Sequence, residues 1–99
     1  MIKKEECIIG TIAVVNDKVT QWNKELGTKF NGLICFPFNE KGTLMGNELE
    51  VKVGTKITIQ SKPKRFNGNG NQVKFTVDGD NNIYSSYWIS FKHKINKTI

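Results

Sequence analysis

Val73-Lys74-Phe75-Thr76-Val77-Asp78-Gly79-Asp80-Asn81 is the stretch that decides the fold of this chain. Val73, Phe75 and Val77 alternate with Lys74 and Thr76, the period of a strand with one buried face, and Asp78 to Asn81 is a cluster of turn formers. The chain then comes back on itself. Ile83 to Phe91 reads as the partner strand of a hairpin, with Ile83, Tyr87, Ile89 and Phe91 on one side and Tyr84 and Trp88 on the other.

Immediately upstream, Ser61 to Gln72 is made of turn formers without periodicity and is expected to be a long mobile loop. Before it, Leu49, Val51 and Val53 alternate with Glu50 and Lys52 as far as Gly54, and Ile57 and Ile59 resume the alternation. Gly54-Thr55 is therefore a corner between strands or a sharp bend within one. Asn39-Glu40-Lys41-Gly42 is expected to turn, and Leu33 to Phe36 to form a strand ended by Pro37. Asn31-Gly32 favours a tight reversal with positive φ, as a hairpin or as a loop feeding one strand.

Nearer the N-terminus, Cys7 to Val15 is an apolar, β-branched run closed by Asn16-Asp17, a largely buried strand with Gly10 at a bend or bulge. Residues 17–26 admit two readings. Val19, Trp22 and Leu26 have helical spacing, with Asp17 to cap and Gly27 to stop it, while Thr20, Trp22 and Lys24 equally suit a hairpin return. Lys94 to Ile99 is expected to fray.

These elements make a single domain over residues 1–99. It is all-β or mostly β, a small barrel of five or six strands, OB-fold or Src-homology-3-type, with at most one short helix near 17–26. The run Leu49 to Ile59 resembles the strand, glycine, polar, strand corner of many small barrels, cold-shock and ribosome-associated ones included, and that likeness implies fold alone. The aromatic strand motifs of cold-shock proteins are absent around Gly10-Thr11-Ile12 and Gly32-Leu33-Ile34.

Charge is what points towards function. The net charge is +6 over 99 residues, and it lies in the second half: Met1 to Val51 carries six Lys against seven Asp or Glu, whereas Lys52 to Ile99 carries nine Lys or Arg against Asp78 and Asp80. A domain polarised in this way attracts polyanions. No stretch is apolar enough to span a membrane, and Met1 to Glu6 lacks the apolar run of a secretory signal, so a cytoplasmic protein without a membrane partner is expected. The abundance of Lys, Asn and Ile, with Arg65 the single arginine, fits a bacterial or phage genome rich in A and T. Cys7 and Cys35 fall in apolar strands and read as reduced core thiols.

Catalytic groups are few. His93, the one histidine, stands between Lys92 and Lys94, whose field disfavours its protonation; it reads as a surface residue of a basic strand. Glu48 and Glu50 share a strand face, as solvated carboxylates often do. No spacing of Cys or His suits a metal, and Gly68 and Gly70 lack the Lys-Ser/Thr and following helix of a phosphate loop, so neither metal nor cofactor is expected.

Binding is better supplied. Lys62, Lys64 and Arg65 stand beside Phe66, with Lys52, Lys56 and Lys74 on neighbouring strands. Tyr84 and Trp88, near Lys92, are the expected exposed aromatic platform, while Tyr87, Ile89 and Phe91 are expected in the core. Cations supply affinity for phosphates and rings supply surfaces for unstacked bases. The expected function is a non-enzymatic module for nucleic acid, preferably single-stranded. Two alternatives share the charge: a phage or bacterial protein that binds an acidic surface of a partner protein and modulates it, and a small toxin-type ribonuclease that uses Lys, Arg and Tyr.

Overall fold

A computed structural model describes residues 1–38, 48–66 and 70–98 of the chain. Its strands are β1 (Ile12–Val15), β2 (Leu33–Pro37), β3 (Leu49–Val51), β4 (Lys56–Ile59), β5 (Lys64–Arg65), β6 (Asn71–Val77), β7 (Ile83–Tyr87) and β8 (Ile95–Lys97); the helices are α1 (Gln21–Leu26) and α2 (Trp88–Lys94). All the ladders are antiparallel, in the order β3-β2-β7-β6-β4-β1-β8, with β5 also on β6. The fold is mostly β, as expected, and curls into a half-barrel. Among the described residues there are eight strands where five or six were expected, and two α-helices where at most one was. The turn expected at Asn39 to Gly42 lies outside the described residues.

The β6–β7 hairpin forms as its sequence demands, with Phe75 opposite Tyr84 and Gly79 at φ +83° in the turn. Its return strand is shorter than the alternation implied. After Tyr87 the chain becomes α2, which drives Phe91 into the core and turns Ile89 out to 70% exposure. Side chains two apart share a strand face, whereas on a helix they diverge by about 200°, so a strand reading of 88–94 puts Ile89 and Phe91 together wrongly.

The core fills the concave side: Ala13 and Val15, Leu33 and Cys35, Ile57 and Ile59, Val73 and Phe75, capped by Phe91 and Ile95. Tyr84 and Trp88 pack against this core instead of standing in solvent. The C-terminal segment is also ordered where fraying was expected: β8 pairs with β1, with Ile95 fully buried. At the other end, β1 begins only at Ile12, because Gly10 at φ +95° turns the chain and leaves Ile8 and Ile9 outside the sheet.

Of the two readings of residues 17–26 the helix forms, as α1 over Gln21–Leu26, capped by Thr20 and not Asp17. The Thr20 hydroxyl accepts from the Asn23 amide, and Gly27 at φ +75° ends the helix. Buried Asn23 donates to the Phe30 and Gly32 carbonyls. The Lys94 ammonium donates to the carbonyls of Lys18 and Asn31, which ties both ends of the excursion to α2. Asn31-Gly32 is not a reversal. Gly32 is the entry to β2, and a Cβ there would stand 2.0 Å from the Val51 carbonyl oxygen.

Candidate nucleic-acid interface

The sheet has a second populated face, on the convex side. Register places Gln60, Lys74, Ser85 and Phe36 in one row across β4, β6, β7 and β2, and Lys64, Gln72 and Tyr87 in the next across β5, β6 and β7. Ile34 and Phe36 are buried on this side, outside the concave core. Trp22 from α1 covers them, its ring 5.4 Å from Tyr87 in a stacked pair and 5.8 Å from Phe36. This is why the excursion is fastened so firmly.

Two pieces of the stretch expected to be a loop pair with each other in the sheet, Lys64–Arg65 and the start of β6. β4 leaves β6 at Ser61-Lys62-Pro63 and returns as β5, pairing Lys64 with Gln72 and Arg65 with Asn71. Pro63 has no N–H to give a ladder, and the Ser61 hydroxyl takes over by accepting the Lys74 amide at 2.9 Å. The interruption opens a groove of about 460 Å³ bordered by Lys62, Lys64 and Lys74 and by Ile8 and Ile9, which are 64% and 70% exposed. No carboxylate is among its lining residues.

Rings flank the lysines. Phe66, just past β5, meets Phe38, just past β2, edge to face at 5.3 Å. The Lys74 ammonium is 4.7 Å from the Phe38 centroid and 5.5 Å from Phe66, and the Lys64 ammonium is 4.9 Å from Phe66. These contacts hold the two cations at a face instead of letting them range through solvent.

Of the ten residues singled out in the sequence, Lys62, Lys64, Phe66 and Lys74 come together here. Arg65 is adjacent but on the opposite face of β5. Lys56 is four residues from Gln60 along β4, about 13 Å from the Lys74 row, and exposed Lys52 stands at the β3–β4 corner. Lys92 is on α2, where its carbonyl accepts from the Ile2 amide. Tyr84 faces the core and donates to the Asp80 carboxylate at 2.5 Å; that bond raises the phenol's pKa and lowers that of Asp80. Trp88 lies 6.4 Å from Phe91, ring to ring.

Residues not singled out for this face are Trp22, Phe36, Phe38, Gln72 and Ser85. The signal for the phenylalanines was present, since Ile34, Phe36 and Phe38 alternate with apolar partners in a run that needs both faces covered.

Other groups take structural positions. Glu50 accepts from the Asn31 and Gly32 amides at 2.6 and 2.8 Å. His93 is on α2 and partly buried; its pKa is lowered first by burial and then by Lys18, Lys92 and the N-terminus. The expected cationic field thus comes second. Cys7 and Cys35 are buried free thiols. Among the described residues there is no group of three His, Cys, Asp or Glu placed to hold a metal, and no helix long and apolar enough to cross a membrane.

No family model, no curated protein and no solved structure matches the chain.

Proposed function

We propose that the convex face of β5, β6, β7 and β2 binds single-stranded nucleic acid, with phosphates in the groove of Lys62, Lys64 and Lys74 and an unstacked base against Phe66 and Phe38. One observation carries the reading: three lysines share a groove without a carboxylate and adjoin paired, half-exposed rings. Cations confer affinity independent of sequence, and an aromatic surface beside them favours bases that are free to stack, which a duplex does not offer. The half-barrel belongs with the small open barrels, OB-fold-like in using a sheet face as its platform.

Binding of a fluorescent oligonucleotide should weaken with salt at a log-log slope near −0.7 per phosphate contact, so roughly −2 for the three lysines. Anisotropy titrations between about 50 and about 300 mM salt measure it. A single strand should bind better than the duplex of the same sequence. Absence of binding at the lowest salt refutes the proposal.

A further inference from the structure

Directly beneath this face lie two polar side chains whose burial the proposed function does not explain. Gln72 and Ser85 are both at 0% exposure, and neither the Gln72 amide oxygen and nitrogen nor the Ser85 hydroxyl has a hydrogen-bond partner among the described residues. A carboxamide buried with both ends unsatisfied is costly, and an apolar residue of similar volume would remove that cost. Every other polar side chain on the neighbouring strands that is comparably buried has a use: Ser86 donates to the Ile34 carbonyl, and Ser61 accepts the Lys74 amide.

The two orphans belong to one place. Gln72 pairs with Tyr87 and Lys74 pairs with Ser85, so Gln72 and Ser85 are diagonal neighbours on the convex face, separated by roughly 7 Å, about the width of a base. The side chains around Gln72 in the register are Lys64, Lys74 and Tyr87. All three are long, and rings, not backbone, hold them: Lys64 and Lys74 rest against Phe66, and Tyr87 stacks on Trp22. Uncovering the amide asks these side chains to change rotamer, a common side-chain response at an interface.

We infer that Gln72, assisted by Ser85, reads the edge of the base that the face takes up, and that the base preferred is adenine. This rests on the nucleic-acid reading above and adds sequence preference to it. A carboxamide presents a donor and an acceptor side by side. On its N7 edge adenine alone among the bases sets a donor beside an acceptor, the 6-amino group and N7, whereas guanine shows two acceptors there. The Watson–Crick edges of cytosine and thymine also offer a donor beside an acceptor, so a preference for adenine means that the N7 edge is the one read, with the Ser85 hydroxyl free to donate to or accept from a remaining polar atom of the base.

The test compares oligo-dA, oligo-dC and oligo-dT of equal length on the wild-type protein and on Gln72→Leu, with circular dichroism and melting to verify the fold. The wild type should prefer oligo-dA about tenfold, and Gln72→Leu should bind all three within about twofold of one another while melting no lower than the wild type. An oligomer in which purine, lacking the 6-amino group, replaces adenine tests the unaltered protein and should lose the same tenfold, so the inference stays testable if the variant misfolds. Wild-type binding without base preference, or preference that survives Gln72→Leu, overturns the base-reading role and leaves the face as a nonspecific binder. No binding of any oligomer overturns the nucleic-acid reading and this inference with it.

Discussion

Phe66 and Phe91 show how differently two phenylalanines of one chain are used. Phe91 is fully buried, 5.7 Å from Phe75 and 6.4 Å from Trp88, ring to ring, at the centre of the concave core. Phe91→Ala should cost about 3 to 5 kcal/mol in denaturant unfolding, because the surrounding strands cannot collapse into the space. Phe66 is partly exposed and touches Phe38 and two lysines. Phe66→Ala should cost little stability, under about 1.5 kcal/mol, yet weaken oligonucleotide binding by roughly tenfold or more, the usual effect of removing one base-stacking ring. Equal losses of stability in the two variants would mean that Phe66 is core and not platform. Trp88 now belongs with Phe91, so Trp88→Ala should destabilise the fold and not merely reduce binding.

Among the elements, the entry to β2 is the place where a small change has the largest consequence. Glu50 on β3 accepts two backbone amides at Asn31 and Gly32, and Gly32 lies so close to β3 that no side chain fits. Gly32→Ala must push β3 away from β2 or tilt the strand, whereas Glu50→Ala leaves two amides without their acceptor at about 1 to 3 kcal/mol. Both variants should lower the melting temperature, Gly32→Ala more, and heteronuclear spectra should place the shifts at β2 and β3, not at β8. None of this follows from the Asn-Gly pair, which in a sequence signals a turn. Its meaning here is set by Val51, nineteen residues away. The same limit governs what else could be read beforehand. The β6–β7 hairpin, the corner at Gly54 and the strand before Pro37 were legible because each is fixed by neighbours in the chain. α2 was not, since Trp88 to Lys94 carries no cap and a strand-like alternation, and tertiary burial of Phe91, Ser90 and Lys94 overrides local preference.

For the molecule as a whole, the charge asymmetry was legible and its geometry was not. The cations of the second half spread over the β3–β4 corner, the convex face and α2, and only where β4 breaks from β6 do three of them share a groove. That break depends on Pro63 and on the pairing of Lys64 with Gln72, a register no local pattern announces. Stability of the whole fold should also respond to alkali, through two thiols that sit in its core. Burial pushes Cys35 up to about 12, and burial with the nearby Glu6 carboxylate pushes Cys7 up to about 11, against an ordinary value of 9.0. Below pH 9 both thiols are protonated in the folded and unfolded chains alike, and their contribution is fully present. As pH rises above 9 the unfolded chain releases these protons first, so unfolding is favoured progressively until the folded values, about 11 and about 12, are passed. Each thiol can contribute a slope of up to about 1.4 kcal/mol per pH unit within that window. Tyr84, raised by its bond to Asp80, acts in the same sense, so the comparison must be internal. Urea unfolding at pH 8 and pH 10 should show a smaller loss of stability in Cys7→Val/Cys35→Val than in the wild type, whatever the variant's starting value at pH 8; equal losses would show that neither thiol is shielded from solvent in the folded state.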